Sequence, residues 1–176
     1  MTKASDIPVH CSHSELADVV SLIPNPRNPN KHPDKQIAML AKIIRHQGWR
    51  SPIVVSNRSG FVVKGHGRLE AAKLLQVEKV PVDRQDYATE ADEWADLVAD
   101  NRIAELSDTD VDLMREIIDA LESGGADIEL TGFDVDGLQS AGIVAPEFSP
   151  ASVDEQGRLD EKKKTKCPNC GHEFQA

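Results

Sequence analysis

The sequence predicts an α+β fold of short strands and helices, followed by an acidic helical extension and a short zinc-knuckle tail. Three observations predict it. Short β-branched apolar runs alternate with longer stretches of helical periodicity. Charge is segregated along the chain instead of mixed. A Cys-x-x-Cys pair stands near the C-terminal end.

The elements follow in order. Ala17 to Ile23 is short, apolar and β-branched, which predicts a strand. It stops at Pro24-Asn25-Pro26-Arg27-Asn28-Pro29, where the prolines force an extended or turning path. A helix is predicted from Asp34 to His46, with Ile37, Leu40, Ile43 and Ile44 on one face and Gly48 as its stop. Pro52–Ser56 and Phe61–Lys64 flank Asn57-Arg58-Ser59-Gly60, the pattern of a hairpin with a polar turn. Gly65-His66-Gly67-Arg68 leads into Leu69–Leu75, a strong helix former. Val80-Pro81-Val82 predicts a short strand, its proline placing it at an edge or a strand start. Thr89 with Asp92 begins a helix running to Glu105, and Ser107 with Asp110 resembles the capping box of another running to Leu121. Leu130–Phe133 and a short helix near Asp136–Ser140 close the globular part.

With 176 residues, 39% of them apolar, the chain is long enough for one compact domain with appendages. The predicted divisions are an N-terminal arm over 1–16, the α+β domain over 17–106, the acidic helical extension over 107–145, a linker over 146–166 and the tail over 167–176. The longest apolar run, Ile37–Ala41, is far short of a membrane span, and no charged-then-apolar leader opens the chain. Three cysteines, an odd number, exclude a disulfide framework. The expectation is a cytoplasmic protein with no membrane partner.

The formal net charge of −10 conceals a basic front. Residues 22–85 carry twelve Lys/Arg and four Asp/Glu, a net of +8, whereas residues 107–145 carry one against ten, a net of −9. Such asymmetry predicts a face turned towards phosphates and a solvated acidic rear.

The chemistry concentrates at the strand–Gly65-His66-Gly67-Arg68–helix junction. Two glycines let the backbone turn sharply and let a ligand approach it closely. The helix that begins there offers unpaired N–H groups and a positive dipole end, which together form an anion site. Arg68 can fork onto phosphate oxygens, Lys64 adds a point charge, and Arg27 supplies a second basic element from the proline-rich turn. His66 can act as a general base or proton shuttle, ligate a metal, donate to a phosphate, or simply cap the helix.

These residues carry a resemblance. Leu22-Ile23-Pro24-Asn25-Pro26, the helix ending at Gly48, Pro52–Val55, Gly65–Arg68, Val80–Val82 and Ala99-Asp100-Asn101-Arg102 occur in the order of the ParB/sulfiredoxin-like domain. That domain is often labelled ParB-like nuclease. The similar variant occurs in phages and mobile elements, frequently at the N-terminus of DNA methyltransferases, and the match extends over residues 17–142. The resemblance implies a small α+β fold, a small mixed sheet with packed helices, whose turn binds nucleotide phosphates. It points to Gly65, His66, Gly67 and Arg68 for the phosphates of a nucleoside triphosphate, and to Asn101 near its Mg2+. The sulfiredoxin branch requires a cysteine in this turn; none is present, which excludes sulfinic acid reduction.

Cys167-Pro168-Asn169-Cys170-Gly171-His172 has the spacing of a zinc knuckle, and the short loop lets both thiolates face one Zn2+. His172 is a candidate third ligand. Cys11, His13 or a second chain's knuckle is a candidate fourth.

The functional expectation is a nucleotide-binding module acting with the DNA-processing machinery, modification or partition, of a phage or mobile element. Its partners would be nucleotide, DNA reached directly or through a methyltransferase, and a second copy in a homodimer. A metal-dependent nuclease and a non-catalytic DNA- or protein-binding adaptor are the alternatives, and weak NTPase or nuclease activity is the enzymatic form, with His66 as its catalytic candidate.

Overall fold

Where the sequence predicts one strand over Ala17–Ile23, the computed structural model, which describes residues 7–144 and 164–175, contains two. Strand β1 (Glu15–Asp18) ends in a 3-10 turn over Val19–Ser21, and β2 (Ile23–Pro24) resumes beyond it. The Ser21 hydroxyl donates to the Asp18 carbonyl and the Leu22 N–H to that of Val19. This turn lets Ala17, Val19 and Leu22 all reach the core, which a continuous strand alternating every second residue could not do. Val20 is left 96% exposed.

The remaining elements of the first unit are α1 (Asp34–Gln47), β3 (Ile53–Ser56), β4 (Phe61–Lys64), α2 (His66–Leu75), β5 (Lys79–Gln85) and α3 (Glu90–Glu105). The five strands lie in the order β1-β5-β3-β4-β2. The pairs β1/β5 and β3/β4 are antiparallel, and β3/β5 and β2/β4 are parallel, so the sheet is mixed as expected. Since β1 and β2 form opposite edges, the chain passes from one edge to the other between Asp18 and Ile23. Four flat inter-strand gaps of about 4.8 Å would separate those edges by roughly 19 Å. Five residue steps, several in a 3-10 turn rising about 2 Å each, fall short of that. The sheet therefore curls.

Burial alternates along the inner strands. Ile53, Val55, Val62, Val80 and Val82 join Ile37, Ile44, Leu69, Ala71, Ala72 and Trp49 in the main core under α1 and α2. Val54 and Val63 point the other way, to Leu97 of α3 and Tyr87. Both faces of β3 and β4 are thus covered, which is why these strands read as unbroken apolar runs.

β5 is longer than the predicted Val80–Val82 and lies inside the sheet, not at an edge. Pro81 is tolerated there because it faces Leu16 of the short edge strand, while the ladder to β3 starts one residue later, with Ile53 opposite Val82. The N-terminal arm also departs from expectation from Ile7 onwards. Val9 bridges Trp49, and Ile7, Val9 and Cys11 pack against the main core.

The acidic segment forms α4 (Val111–Ser123), a 3-10 turn over Ile128–Thr131 and α5 (Val135–Ser140). Asp110 caps α4, its carboxylate accepting from the Leu113 N–H. The predicted cap, Ser107, instead donates to the Ala104 carbonyl at the end of α3. Ile118, Leu138 and Ile143, with Met114, Ile128 and Phe133, form a small core of their own. Arg115 closes it by donating to the carbonyls of Gly142 and Ile143. This mini-core rests on α1: Lys42 pairs with Asp127 at 2.7 Å and with Glu129, Lys35 pairs with Asp134, and Gln47 donates to the Leu130 carbonyl. The acidic rear thereby neutralises part of the basic front.

The tail belongs to the second unit, residues 145–176. There β6 (Lys164–Lys166) and β7 (Glu173–Gln175) pair antiparallel around the cysteine loop. The first six residues of the predicted arm and most of the predicted linker lie outside the described residues.

Candidate functional site

The site is built where β4 hands over to α2. Gly65 adopts φ +88°, a left-handed conformation that L side chains disfavour, and so reverses the chain within one residue. His66, Gly67 and Arg68 then form the first helical turn. The first bond into the helix reaches back from the Leu69 N–H to the Gly65 carbonyl at 3.0 Å. No helical carbonyl precedes the turn to accept from its amides, so they and the helix dipole face outward as a site for anionic oxygens.

Around this turn lies a cavity of about 220 Å³. Asn28, Asn30 and His32 border it on one side, Gln36 and Leu40 come from α1, Lys64 through Arg68 form its floor, and Asp100 and Asn101 of α3 close it. A Cβ at Gly67 would come within 3.4 Å of the His32 ring and of Leu40. The glycine lets the rim approach the helix terminus.

The predicted phosphate residues divide. Lys64, Gly65, His66, Gly67, Arg68 and Asn101 all line this one cavity. Arg27 does not: its guanidinium stacks on the indole of Trp94, 4.2 Å from the ring centre, and ties the proline-rich turn to α3.

Arg68 is anchored by a 2.7 Å bond from Nη1 to the Pro52 carbonyl, leaving its other N–H groups for the cavity. Burial lowers its pKa, and the nearby Asp100 opposes that shift. Lys64 pairs with Asp96 at 2.9 Å and sits 3.9 Å from Asp100. Asp96 also accepts from the Tyr87 hydroxyl at 2.8 Å, and burial followed by this bond raises the Tyr87 pKa. Asn101 donates from Nδ2 to the Leu97 carbonyl at 3.5 Å.

His66 accepts, through Nε2, the backbone N–H of Asn25 at 3.2 Å. A peptide N–H can only donate, so this ring is neutral and its proton sits on Nδ1. Burial, and secondarily the neighbouring His32, lower the His66 pKa, consistent with that state. The ring's one lone pair is committed to Asn25; what it offers the cavity is a donor.

Two features escaped the sequence. Asp100 lines the cavity, and its signal was its place beside Asn101. Glu93 is buried beneath the hairpin turn, accepting from Ser56 at 2.8 Å and Ser59 at 2.7 Å, with Arg58 at 3.3 Å. Its signal was position: it precedes the buried Leu97 by four residues, a charge on the apolar stripe of α3.

In the tail, the Cys167 N–H donates to the His172 carbonyl and the Gly171 N–H to the Cys167 carbonyl, both at 2.9 Å. Cys11 lies in the first unit, half-buried against the main core. Among the described residues, no three His, Cys, Asp or Glu side chains gather closely enough to hold a metal ion.

Comparison with known proteins agrees with this architecture. The family described as the ParB N-terminal domain matches residues 6–109. The ParB-like nuclease domain-containing protein YnaK of Escherichia coli (strain K12) is 36% identical over 61 residues, which cover 35% of this chain and 69% of that protein. Among solved structures, the C-terminally truncated chromosome-partitioning protein ParB from Caulobacter crescentus, complexed with CTP-γ-S, superposes with a TM-score of 0.52 at 19% identity. That match covers 72% of this chain and 69% of the other. The chain belongs to the ParB N-terminal domain family. The mixed curled sheet and its packed helices are the fold of that family.

Proposed function

We propose that the cavity at the start of α2 binds the phosphates of a nucleoside triphosphate, and that the domain is a nucleotide-binding module serving DNA-processing machinery. The observation that carries this reading is the convergence of the free amides of His66, Gly67 and Arg68 with the Arg68 guanidinium and the Lys64 ammonium on one 220 Å³ space. The similar fold crystallised with CTP-γ-S supports it.

The charge balance of the cavity favours a metal–nucleotide complex. Lys64 and Arg68 are offset by Asp96 and Asp100, so a bare triphosphate would find little net positive charge. Asp100 and Asn101 supply the hard oxygen donors that suit Mg2+, and that ion would bring the charge the protein withholds. Partition or DNA modification in a phage or mobile element, with DNA reached directly or through a methyltransferase, is the setting we assign. The protein would work in the cytoplasm, as a homodimer, hydrolysing nucleotide weakly if at all.

Calorimetric titration with CTP, ATP and GTP in the presence of Mg2+ tests the reading. At least one nucleotide should bind, and Arg68→Ala should remove most of that binding. Absence of heat with every nucleotide would overturn it. The nuclease reading rests on the name of the Escherichia coli relative; nicking of supercoiled plasmid that depends on Mg2+ or Mn2+ and is lost in His66→Ala would favour it instead.

A further inference from the structure

The tail poses a physical problem that its own contacts do not solve. β6 and β7 are three residues each, and an isolated hairpin of that size is unstable in water. Units this small hold together by a metal or a disulfide.

The loop between the strands is shaped around sulfur. Its tight turn is closed by the Cys167 N–H donating to the His172 carbonyl and the Gly171 N–H to the Cys167 carbonyl, which sets Cys167 and Cys170 together between β6 and β7. Gly171 follows in the left-handed region at φ +73°, returning the chain into β7. Two cysteines spaced Cys-x-x-Cys on a tight turn supply half of a tetrahedral thiolate site.

The other half is not in the hairpin. His172 adjoins Cys167 through its backbone carbonyl, yet no third metal-binding side chain joins the pair among the described residues. The remaining cysteine, Cys11, is engaged with the core of the first unit. We propose that Cys167 and Cys170 form a half-site for Zn2+ that is completed by the same two cysteines of a second copy of this chain, one ion joining two tails. Four thiols would release four protons on binding, and the resulting centre carries a charge of −2. The sequence places Lys162, Lys163, Lys164 and Lys166 immediately before the cysteines, where their charge offsets it.

The test uses the full chain, purified under reducing conditions and loaded with Zn2+ alone. Metal content, and molar mass by light scattering, are measured before and after chelation. The expected result is one zinc per two chains, with removal of the ion halving the mass or, if another surface also joins the copies, abolishing cross-linking between tails. A cobalt-loaded sample should give the charge-transfer and ligand-field bands of a tetrathiolate. Cys167→Ser and Cys170→Ser should each lose the ion while the melting of the main domain is unchanged; Cys11→Ser and His172→Ala should retain it. No retained zinc, one zinc per chain without change in mass, or loss of zinc in Cys11→Ser or His172→Ala would overturn the proposal.

Discussion

The backbone N–H of Asn25 donates to Nε2 of His66 across 3.2 Å, fastening the proline-rich turn to the first residue of α2. The bond makes one wall of the cavity depend on the protonation state of the residue that opens its floor.

A pH dependence follows. The His66 pKa is lowered from its ordinary 6.5 in the folded protein, so above that value the ring is neutral in both states and its bond is fully present. As the pH falls through 6.5 the unfolded chain takes up a proton that the folded chain resists, and stability declines until the lowered folded value is passed. Denaturant unfolding of wild type should show this decline below about pH 6.5, and His66→Gln should flatten it.

Arg68→Ala removes a charged donor from both the Pro52 carbonyl and the cavity. Bonds from charged groups contribute about 1.5–3 kcal/mol, so nucleotide affinity should fall roughly ten- to a hundredfold. Arg68→Lys should recover little, because an ammonium cannot hold Pro52 and a phosphate in one plane. Calorimetry on both variants checks this.

Gly65→Ala and Gly60→Ala separate strain from collision. Both glycines have positive φ, but an added Cβ at Gly60 meets nothing within 4 Å, whereas at Gly65 it would lie 2.8 Å from Arg68 Nη1. Each should lose about 1–2 kcal/mol of stability to the left-handed conformation. Only Gly65→Ala should also weaken nucleotide binding, by displacing the guanidinium.

Glu93→Ala should be among the more damaging single substitutions. It strips Ser56 and Ser59 of their acceptor and leaves Arg58 without its nearest partner. A loss of about 2–4 kcal/mol is expected, read as a lowered denaturation midpoint.

The extension should owe its hold to packing more than to charge. Lys42 and its partners Asp127 and Glu129 are all about half exposed, so Lys42→Ala should shift melting very little. Ile118→Ala, inside the small core, should cost about 2–4 kcal/mol and loosen residues 111–144 in hydrogen exchange.

Much of this architecture is legible in the sequence because local chemistry dictates it. The Asp34–Gln47 helix, the hairpin around Asn57–Gly60, the capping box of Thr89 with Asp92 and the glycine turn at Gly65 each carry their signal within a few residues. What the sequence conceals is long-range. Nothing local indicates that Val19–Ser21 breaks a strand so that its halves pair with different partners, or that Pro81 lies in an interior strand. Nor does a count of lysines reveal that Lys35 and Lys42 are met by Asp134, Asp127 and Glu129 some ninety residues onward. At the site, the Gly65–Arg68 floor and Asn101 are readable as a motif. Arg27 misleads because its charge shows in the sequence while the indole it rests on belongs to a distant helix.

Because β1 and β2 are consecutive pieces of one ten-residue stretch, the two borders of the sheet are stitched by a single thread. A chain beginning beyond Pro24 would bare both borders together and leave ladder groups on each side open to foreign strands. The protein's resistance to aggregation is therefore concentrated in residues 15–24, none of which lines the pocket.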